Sequence, residues 1–316
     1  MDPTTKSWFT EQVDYREMHQ FLKEKNSTSF RTEFQQVELH NLTAFGRTMV
    51  LDGAVQSAEA DEHLFHECLV QPAMLAHPEP KKVLILGGGE GATLREVLKH
   101  PSVELAVMVD IDGQFVDFCK DKLPDWNSEA FSDSRTKLLH MDGRKYLEDT
   151  NETFDVIITD ITDILLDGPA IRLYTQEFYA LCARKLNKDG YLALQALELS
   201  PSVWEQHATL RRTIRKSFAS VESYSIFVPS FTSTWGFIIA SNSGSPILST
   251  EVLAEKLEKR NLSSKLFAFD EITYKGIFSL PKDLRKYLTL DGSILEDGQP
   301  LKFFPRDKEF RRGGKK

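Results

Sequence analysis

Residues 83–91 read VLILGGGEG and give the clearest structural signal in the chain. The first four side chains are apolar, as in a strand buried within a parallel sheet, and the glycines after them let the backbone approach a ligand closely. Residues 92–100 then follow a helical pattern. The sequence therefore predicts a strand, a glycine loop and a helix, the unit that opens nucleotide-binding α/β sheets.

Strand-like and helix-like segments alternate along the chain from Lys81 onward. This alternation predicts an α/β fold in which helices cover a mostly parallel, doubly wound sheet. The predicted strands are Val83–Leu86, Ala106–Asp110, Lys137–His140, Asp155–Thr159, Tyr191–Gln195, Ser223–Val228 and Gly236–Ser241. The predicted helices are Ala92–Lys99, Gln114–Leu123, one beginning with Gly143–Tyr146, Thr175–Leu186, Val203–Phe218, Glu251–Lys259 and one after Pro281.

A different pattern precedes this sheet. Residues Phe34–Leu42 and Arg47–Leu51 flank a turn and predict a β-hairpin, which the short run Ala54–Ser57 follows. Residues 62–76 are helical in pattern, and prolines at 78 and 80 mark a boundary. We therefore predict two domains: an N-terminal β-strand domain with a linking helix over residues 1–78, and a Rossmann-like domain with a C-terminal extension over residues 79–316.

Composition limits the classes of partner. The 316 residues carry a formal net charge of -8 at pH 7, which argues against nucleic acid as the main partner. The chain has neither an apolar run of membrane-spanning length nor an N-terminal signal segment, so we predict a cytoplasmic protein with no membrane partner. The three cysteines lack metal-binding spacing and predict neither a disulfide framework nor a zinc site.

Acidic residues stand where successive predicted strands end: Glu90, Asp110, Asp142, and the pair Asp160 and Asp163. Because the carboxyl ends of parallel strands share one edge of the sheet, these side chains are expected to line one site. Such a site suits a positively charged ligand and repels phosphate. Asp110 is placed to accept both hydroxyls of a ribose, and Asp142 is placed to accept the exocyclic amine of an adenine.

The pair Asp160 and Asp163 suggests amine chemistry. An amine with a solution pKa of about 10 must lose a proton before it attacks, and a nearby carboxylate can hold the ammonium, orient it and accept that proton. Glu90 in the glycine loop would repel a ligand carboxylate and favour a tail that carries only an ammonium. The alternative is structural, since an Asp-x-x-Asp turn can cap a helix and Glu90 can be a solvated loop acid.

Several segments, in this order and spacing, resemble the polyamine aminopropyltransferases, which are the spermidine, spermine and thermospermine synthases. The segments are VLILGGGEGATLREVL, VDIDGQFVDFC, MDGRKYL, FDVIITDITD and GPAIRLYTQEFY. The resemblance implies a methyltransferase-like Rossmann domain with a small N-terminal antiparallel β domain, assembled as a homodimer or homotetramer. It also implies transfer of an aminopropyl group from decarboxylated S-adenosylmethionine to an amine, with methylthioadenosine released and no metal or redox cofactor required.

The resemblance also implies residues for the nucleoside of the donor. Gln35 resembles the family glutamine that contacts the nucleoside, and Asp110 corresponds to the acid on the ribose. Asp142 with Gly143 corresponds to the adenine contact, and Pro169 matches a proline near the adenine. Without the family match, Gln35 would be unremarkable in its strand and Pro169 could simply shape a loop.

A second set of matches concerns the reacting amine. Asp160 matches the proton acceptor, and Asp163 matches its partner on the amine. Gln56 stands where the family lines the junction of the two substrates, and His66 matches a position that contacts the amine. Glu90 matches the acid that binds the aminopropyl ammonium, although His66 could equally be a satisfied helix histidine.

Three departures from spermidine synthases bear on the acceptor. Glu90 replaces an aspartate, Asp110 replaces a glutamate, and Phe231 replaces a tyrosine typical of putrescine-specific enzymes. The segments DITD, GGGEGATLREVL and VPSFTSTWGF, by contrast, resemble those of thermospermine synthases and of the prokaryotic aminopropylagmatine-forming enzymes. Together with the departures, this resemblance favours an acceptor longer than putrescine, with conversion of spermidine to thermospermine as the leading hypothesis. The alternatives are putrescine or agmatine as acceptor, a methyltransferase that uses intact S-adenosylmethionine, an NAD-dependent oxidoreductase, and a non-catalytic binding subunit.

Overall fold

The structure, a computed structural model, describes residues 6–13, 17–162 and 169–299. These residues form two compact units. The first comprises the described residues up to Glu62 together with Val228–Thr232, and the second comprises those of His63–Phe227 and Ser233–Gln299. In the described part of the chain, no helix has the length and apolar character needed to cross a bilayer.

The first unit is built on an antiparallel sheet. Its described strands are β1 (Lys6–Gln12), β2 (Met18–Glu24), β3 (Thr28–Arg31), β4 (Gln36–Leu42), β5 (Gly46–Leu51) and β6 (Ala54–Ala58). They lie in the order β1-β2-β4-β5-β6, and β3 pairs with β4. The predicted hairpin is confirmed as β4 and β5, where Leu42 pairs with Gly46. Strands β1 and β2 were not predicted because their polar side chains obscure the alternation.

The second unit contains the predicted mostly parallel sheet. Its described strands are β7 (Lys82–Gly87), β8 (Leu105–Asp110), β9 (Thr136–His140), β10 (Phe154–Asp160), β11 (Leu186–Glu198), β12 (Ser220–Val228) and β13 (Ser233–Ser241). The order is β12-β13-β11-β10-β7-β8-β9. Strands β11, β10, β7, β8 and β9 run parallel, whereas β13 pairs with β11 antiparallel. The predicted fold class is therefore confirmed.

Helices pack against this sheet. They are α1 (Glu62–Ala76), α2 (Ala92–Leu98), α3 (Gly113–Lys122), α4 (Pro124–Asn127), α5 (Gly143–Asp149), α6 (Gln176–Lys185), α7 (Glu205–Ile214), α8 (Thr250–Lys259), α9 (Glu271–Ile277) and α10 (Lys282–Tyr287). Helix α7 is shorter at both ends than predicted, and α9 was not predicted. Strand β11 is longer than predicted because it pairs with β10 on one side and with β13 on the other.

Helix α1 is tied to the second unit. The Tyr224 hydroxyl donates to the Cys68 carbonyl at 3.0 Å, and the Arg260 guanidinium donates to the Met74 carbonyl at 2.7 Å. These bonds satisfy carbonyls of α1 with groups from β12 and α8. The predicted domain boundary between residues 78 and 79 stays a prediction.

Candidate active site

The glycine loop after β7 brings the ends of two neighbouring strands together. Gly87 pairs with Asp160 in the register of β7 and β10, and the Gly88 amide donates to the Asp160 carbonyl at 2.8 Å. The backbone φ of Gly87 is +82°, and a Cβ at this position would collide with the same carbonyl. Only glycine fits here, and its fit places Asp160 directly beside the loop.

Asp160 occupies the end of β10 and points its carboxylate toward α2. Its Oδ2 accepts a 2.6 Å hydrogen bond from the Thr93 hydroxyl. Burial raises the pKa of Asp160 above its usual range, and the nearby Glu90 raises it further, while His66 and Thr93 act in the opposite direction. A carboxylate with a raised pKa is a stronger base than an ordinary surface aspartate.

Glu90 and His66 are brought together as a buried pair. The Oε1 atom of Glu90 lies 2.8 Å from Nε2 of His66, and both side chains are at least 90 % buried. The two atoms lie within ion-pair distance, but Oε1 accepts no hydrogen bond from any described residue. Two residues predicted to contact the amine therefore converge from α1 and from the glycine loop.

Asp110 ends β8 on the other side of the glycine loop. Its Oδ1 accepts from the Asp112 amide at 2.8 Å, and its carboxylate also accepts from the Gly89 backbone. Burial raises the pKa of Asp110 to about 6, although both backbone hydrogen bonds oppose that shift. The side chain thus lies against the loop, where the ribose acid was predicted.

Asp142 has a structural role that the sequence analysis left out. Its Oδ1 accepts from the backbone amides of Arg144 at 2.8 Å and Lys145 at 3.1 Å, which caps the N-terminus of α5. Gly143 begins that helix, and a Cβ there would approach Leu86 of β7 to 3.1 Å. Both residues therefore lie at the carboxyl edge of the sheet, and their contact with adenine stays a prediction.

The other predicted site residues are placed as follows. Asp163 lies outside the described residues, and Pro169 begins a short 3₁₀ turn that ends at Leu173. Gln35 and Gln56 belong to the first unit. Gln35 closes a turn in which its carbonyl accepts from the Thr32 amide at 2.9 Å, and Gln56 lies in β6.

Sequence reasoning missed a buried glutamine that holds the chain at residue 161, directly after β10. The side-chain amide of Gln195 donates to the Ile161 carbonyl at 2.6 Å and to the Tyr174 hydroxyl at 3.1 Å. Its Oε1 accepts from the Leu197 amide and the Trp235 indole, both at 3.1 Å. Because the latter two groups can only donate and a carbonyl can only accept, the orientation of the amide is unambiguous.

The Tyr174 hydroxyl adds a second contact to the same loop. It lies 3.2 Å from the carbonyl oxygen of Thr162 and 3.4 Å from that of Ile161. Strand β11 accommodates Gln195 through an irregularity in which Leu197 adopts a φ of +67°. The one available signal was Gln195 itself, a single amide in the apolar run YLALQAL.

The three acids beside the glycine loop are Glu90, Asp110 and Asp160. Among the described residues, His66 is the one basic side chain beside them, and none of the three is paired with a lysine or arginine. No group of three or more His, Cys, Asp or Glu side chains in the described ranges is arranged to hold a metal ion. An edge of the sheet with this excess of negative charge is suited to a cationic ligand.

Two family models together match most of the chain up to residue 249. The spermine/spermidine synthase domain matches residues 62–249, and the spermidine synthase tetramerisation domain matches residues 7–59. The chain belongs to the spermine/spermidine synthase family. The predicted family is thereby confirmed, and so is the prediction of an enzyme of the aminopropyltransferase class.

Relatives in this family are similar over most of their length. Polyamine aminopropyltransferase 2 of Pseudomonas aeruginosa is 45% identical over 90% of this chain and 81% of its own. Polyamine aminopropyltransferase of Aeropyrum pernix is 42% identical over 84% of this chain and 87% of its own. The crystal structure of spermidine synthase from Thermotoga maritima superposes with a TM-score of 0.80 at 31% identity, over 89% of this chain and 94% of that one. The family relationship therefore extends over both described units.

Proposed function

We propose that this enzyme transfers the aminopropyl group of decarboxylated S-adenosylmethionine to an amine longer than putrescine, with spermidine as acceptor and thermospermine as product. The observation that carries the proposal is the acidic edge of the sheet, where the buried Glu90 and the partly buried Asp110 and Asp160 surround the glycine loop beside one histidine, His66. Both substrates are cations, and their mutual repulsion is offset by such an edge. A spermidine synthase 31% identical to this chain has been crystallised with the transition state analogue AdoDATO, which supports the same class of donor.

The proposed step is a displacement at carbon. The lone pair of the acceptor nitrogen attacks the methylene next to the sulfonium, the C–N bond forms, and the C–S bond breaks with its electron pair returning to sulfur. Asp160 accepts the proton that the nitrogen loses, and its raised pKa suits that role. The products are the elongated amine and neutral methylthioadenosine.

The donor is held from its two ends in this proposal. Glu90, beside His66, binds the aminopropyl ammonium, and Asp110 accepts the ribose hydroxyls. The adenine is bound by Asp142 with Gly143. Gln35 and Pro169 complete the nucleoside contacts that we infer from the family motifs.

The acceptor is held by Gln56, His66 and Asp163 in addition to Asp160. The preference for a longer amine rests on the segments that resemble thermospermine synthases and on Phe231, which offers no hydroxyl to the far nitrogen of a short diamine. Phe231 packs against a buried cluster of the first unit that includes Phe9 and Val55. Putrescine and agmatine are the alternative acceptors.

The test is an incubation of the purified protein with decarboxylated S-adenosylmethionine and, separately, putrescine, agmatine, cadaverine and spermidine. Mass spectrometry follows methylthioadenosine, and chromatographic standards separate spermine from thermospermine. We expect thermospermine with spermidine as acceptor. Methylthioadenosine with putrescine or agmatine alone would overturn the acceptor, and none with any amine would overturn the transferase reaction.

We further propose that the enzyme works in the cytoplasm as a homodimer or homotetramer. The match of residues 7–59 to a tetramerisation domain supports assembly through the first unit. Light scattering coupled to gel filtration measures the mass in solution, and a monomer at micromolar concentration would contradict the assembly.

A further inference from the structure

Arg144 follows the predicted adenine contacts by one residue and makes an ion pair with the C-terminal segment. Its Nη1 lies 2.8 Å from Oδ1 of Asp297, and its Nη2 lies 2.6 Å from Oδ2. The Arg144 side chain is 9% exposed, whereas that of Asp297 is 38% exposed. A two-pronged contact between a guanidinium and a carboxylate fixes direction as well as distance.

The same guanidinium joins two further elements. Nη1 of Arg144 donates to the Arg172 carbonyl at 3.1 Å, in the turn that begins at Pro169. It also lies 3.4 Å from the Thr175 hydroxyl, which itself donates to Oδ1 of Asp297 at 2.8 Å. Helix α5, the turn at 169–173 and the start of α6 therefore meet at one buried side chain.

The segment that carries Asp297 is itself fixed to the second unit. The Asp297 amide donates to Oε2 of Glu177 at 3.0 Å, and the Gln176 amide donates to the Leu295 carbonyl at 2.7 Å. The Leu295 amide in turn donates to the Thr213 hydroxyl at 3.0 Å. The backbone of Asp297 is thus held by α6 and α7 independently of Arg144. The contact with Arg144 therefore costs little additional conformational entropy.

We propose that Asp297 is a positioning residue for donor binding: it holds Arg144, and through it keeps α5 and the turn at 169–173 in the arrangement that receives the nucleoside. The inference rests on the proposed function, which assigns Asp142, Gly143 and Pro169 to the adenine. It gives the C-terminal segment a role that no motif in the sequence indicated. Without Asp297, Arg144 would be left nearly buried and without its two-pronged partner.

The test compares Asp297→Asn with Glu148→Gln. Glu148 accepts from Nε of the same guanidinium at 3.1 Å but lies on the same helix and is 46% exposed. Both variants therefore remove one carboxylate from Arg144, but only Asp297→Asn removes the carboxylate that links Arg144 to the C-terminal segment. Asp297→Glu keeps the charge and serves as the conservative variant.

Three readouts separate positioning from general stability. Calorimetry with methylthioadenosine gives nucleoside affinity, steady-state kinetics give the KM of donor and acceptor separately, and thermal melting reports folding. We expect Asp297→Asn to lower the affinity for methylthioadenosine and to raise the donor KM, each by roughly tenfold, which is the size of one lost charge-assisted hydrogen bond. The acceptor KM of Asp297→Asn should stay near the wild-type value. Glu148→Gln should keep wild-type affinity for methylthioadenosine, and Asp297→Glu should recover part of the affinity lost in Asp297→Asn.

The outcomes are distinguishable. If the wild-type protein binds methylthioadenosine and Asp297→Asn binds it with the same affinity, the positioning role is overturned and the proposed function stays intact. Equal increases in donor and acceptor KM, tracking a lowered melting temperature, would also overturn it. Failure of the wild-type protein to bind methylthioadenosine would overturn the proposed function, and the inference with it.

Discussion

Two groups of acids in the second unit differ in burial and in what surrounds them. Glu67 and Glu96 are fully buried, and the protein satisfies both. Glu67 accepts three backbone amides from residues 267–269 at 2.7 to 2.9 Å. Glu96 lies 2.7 Å from the Lys99 ammonium and 2.9 Å from Nε of Arg95. These acids hold helices and the C-terminal region together.

The acids at the carboxyl edge of the sheet are not satisfied in this way. Among the described residues, Glu90 lies beside one basic side chain, His66, and neither Asp110 nor Asp160 is paired with a lysine or arginine. Burial raises the pKa of Asp110 and of Asp160, so their ionised forms are costly in the free protein. An acid paired with a lysine is therefore structural here, as Glu67 and Glu96 are with Lys99, whereas an acid without a lysine or arginine partner is available to a cationic ligand.

Asp160→Asn is expected to have the largest effect. The variant keeps an oxygen for the Thr93 hydroxyl but removes the proton acceptor, so kcat should fall by about 10²- to 10⁴-fold while methylthioadenosine affinity stays near wild type. Product formation and calorimetry measure the two quantities. Asp149→Asn, which alters an acid 59% exposed, is the control. Unchanged turnover in Asp160→Asn would remove it as the base.

Glu67→Gln should lower stability and leave turnover unchanged, the opposite of what we expect for Asp160→Asn. Hydrogen bonds to a charged acceptor contribute about 1.5 to 3 kcal/mol each, so losing the charge should lower the free energy of unfolding by about 2 kcal/mol. Turnover at 25 °C should stay close to wild type, and urea denaturation measures the stability. Glu104→Gln, at an exposed pair with Lys81, is the matched control. A variant of Glu67 with normal stability and lost turnover would contradict the division into two groups.

Glu90→Gln should separate two ligands that differ by one ammonium. We expect it to lower the affinity for the decarboxylated donor by roughly tenfold or more, because a charged contact is lost. The affinity for methylthioadenosine should be nearly unaffected. Binding assays of the variant and the wild-type protein measure the affinity for each ligand. Equal weakening of the two ligands would show that Glu90 is structural, like Glu67.

The affinity for methylthioadenosine should depend on pH through Asp110. Its pKa is raised to about 6 by burial, and ribose hydroxyls donate to the ionised form. Affinity should therefore be constant well above pH 6 and fall toward tenfold per pH unit below it. Calorimetry between pH 5 and pH 8 tests this, and Asp110→Asn should remove the dependence along with much of the affinity. A flat wild-type profile would count against a ribose contact by this acid.

Tyr174→Phe should have the smallest effect. It removes one hydroxyl from the loop after β10, while the Gln195 bond to the Ile161 carbonyl remains, so kcat should fall only a few-fold, the effect of about one neutral hydrogen bond. Tyr179→Phe is the matched control, because the Tyr179 hydroxyl is buried and has no hydrogen-bond partner in the part of the chain that the structure describes. If both variants behave alike in turnover, the loop does not depend on Tyr174.

Local patterns predicted much of the fold and part of the site. The glycine loop, the parallel strands and the acids at their ends follow from residue type and short-range periodicity, which the sequence displays directly. Strands β1 and β2 were not predicted because their polar side chains obscure the alternation. The role of Asp142 as a helix cap was also missed, although an aspartate before Gly143 is a recognised capping signal.

Reading the chain alone identifies the family, the class of reaction and the acids that could meet a cation. It does not reveal which buried acids already have partners, because those partners come from remote parts of the chain. Glu67 is satisfied by amides about 200 residues away, and Arg144 meets Asp297 across a separation of 153 residues. Burial and pairing depend on how distant segments pack, and therefore only the folded molecule separates acids that hold the structure from acids left to a ligand.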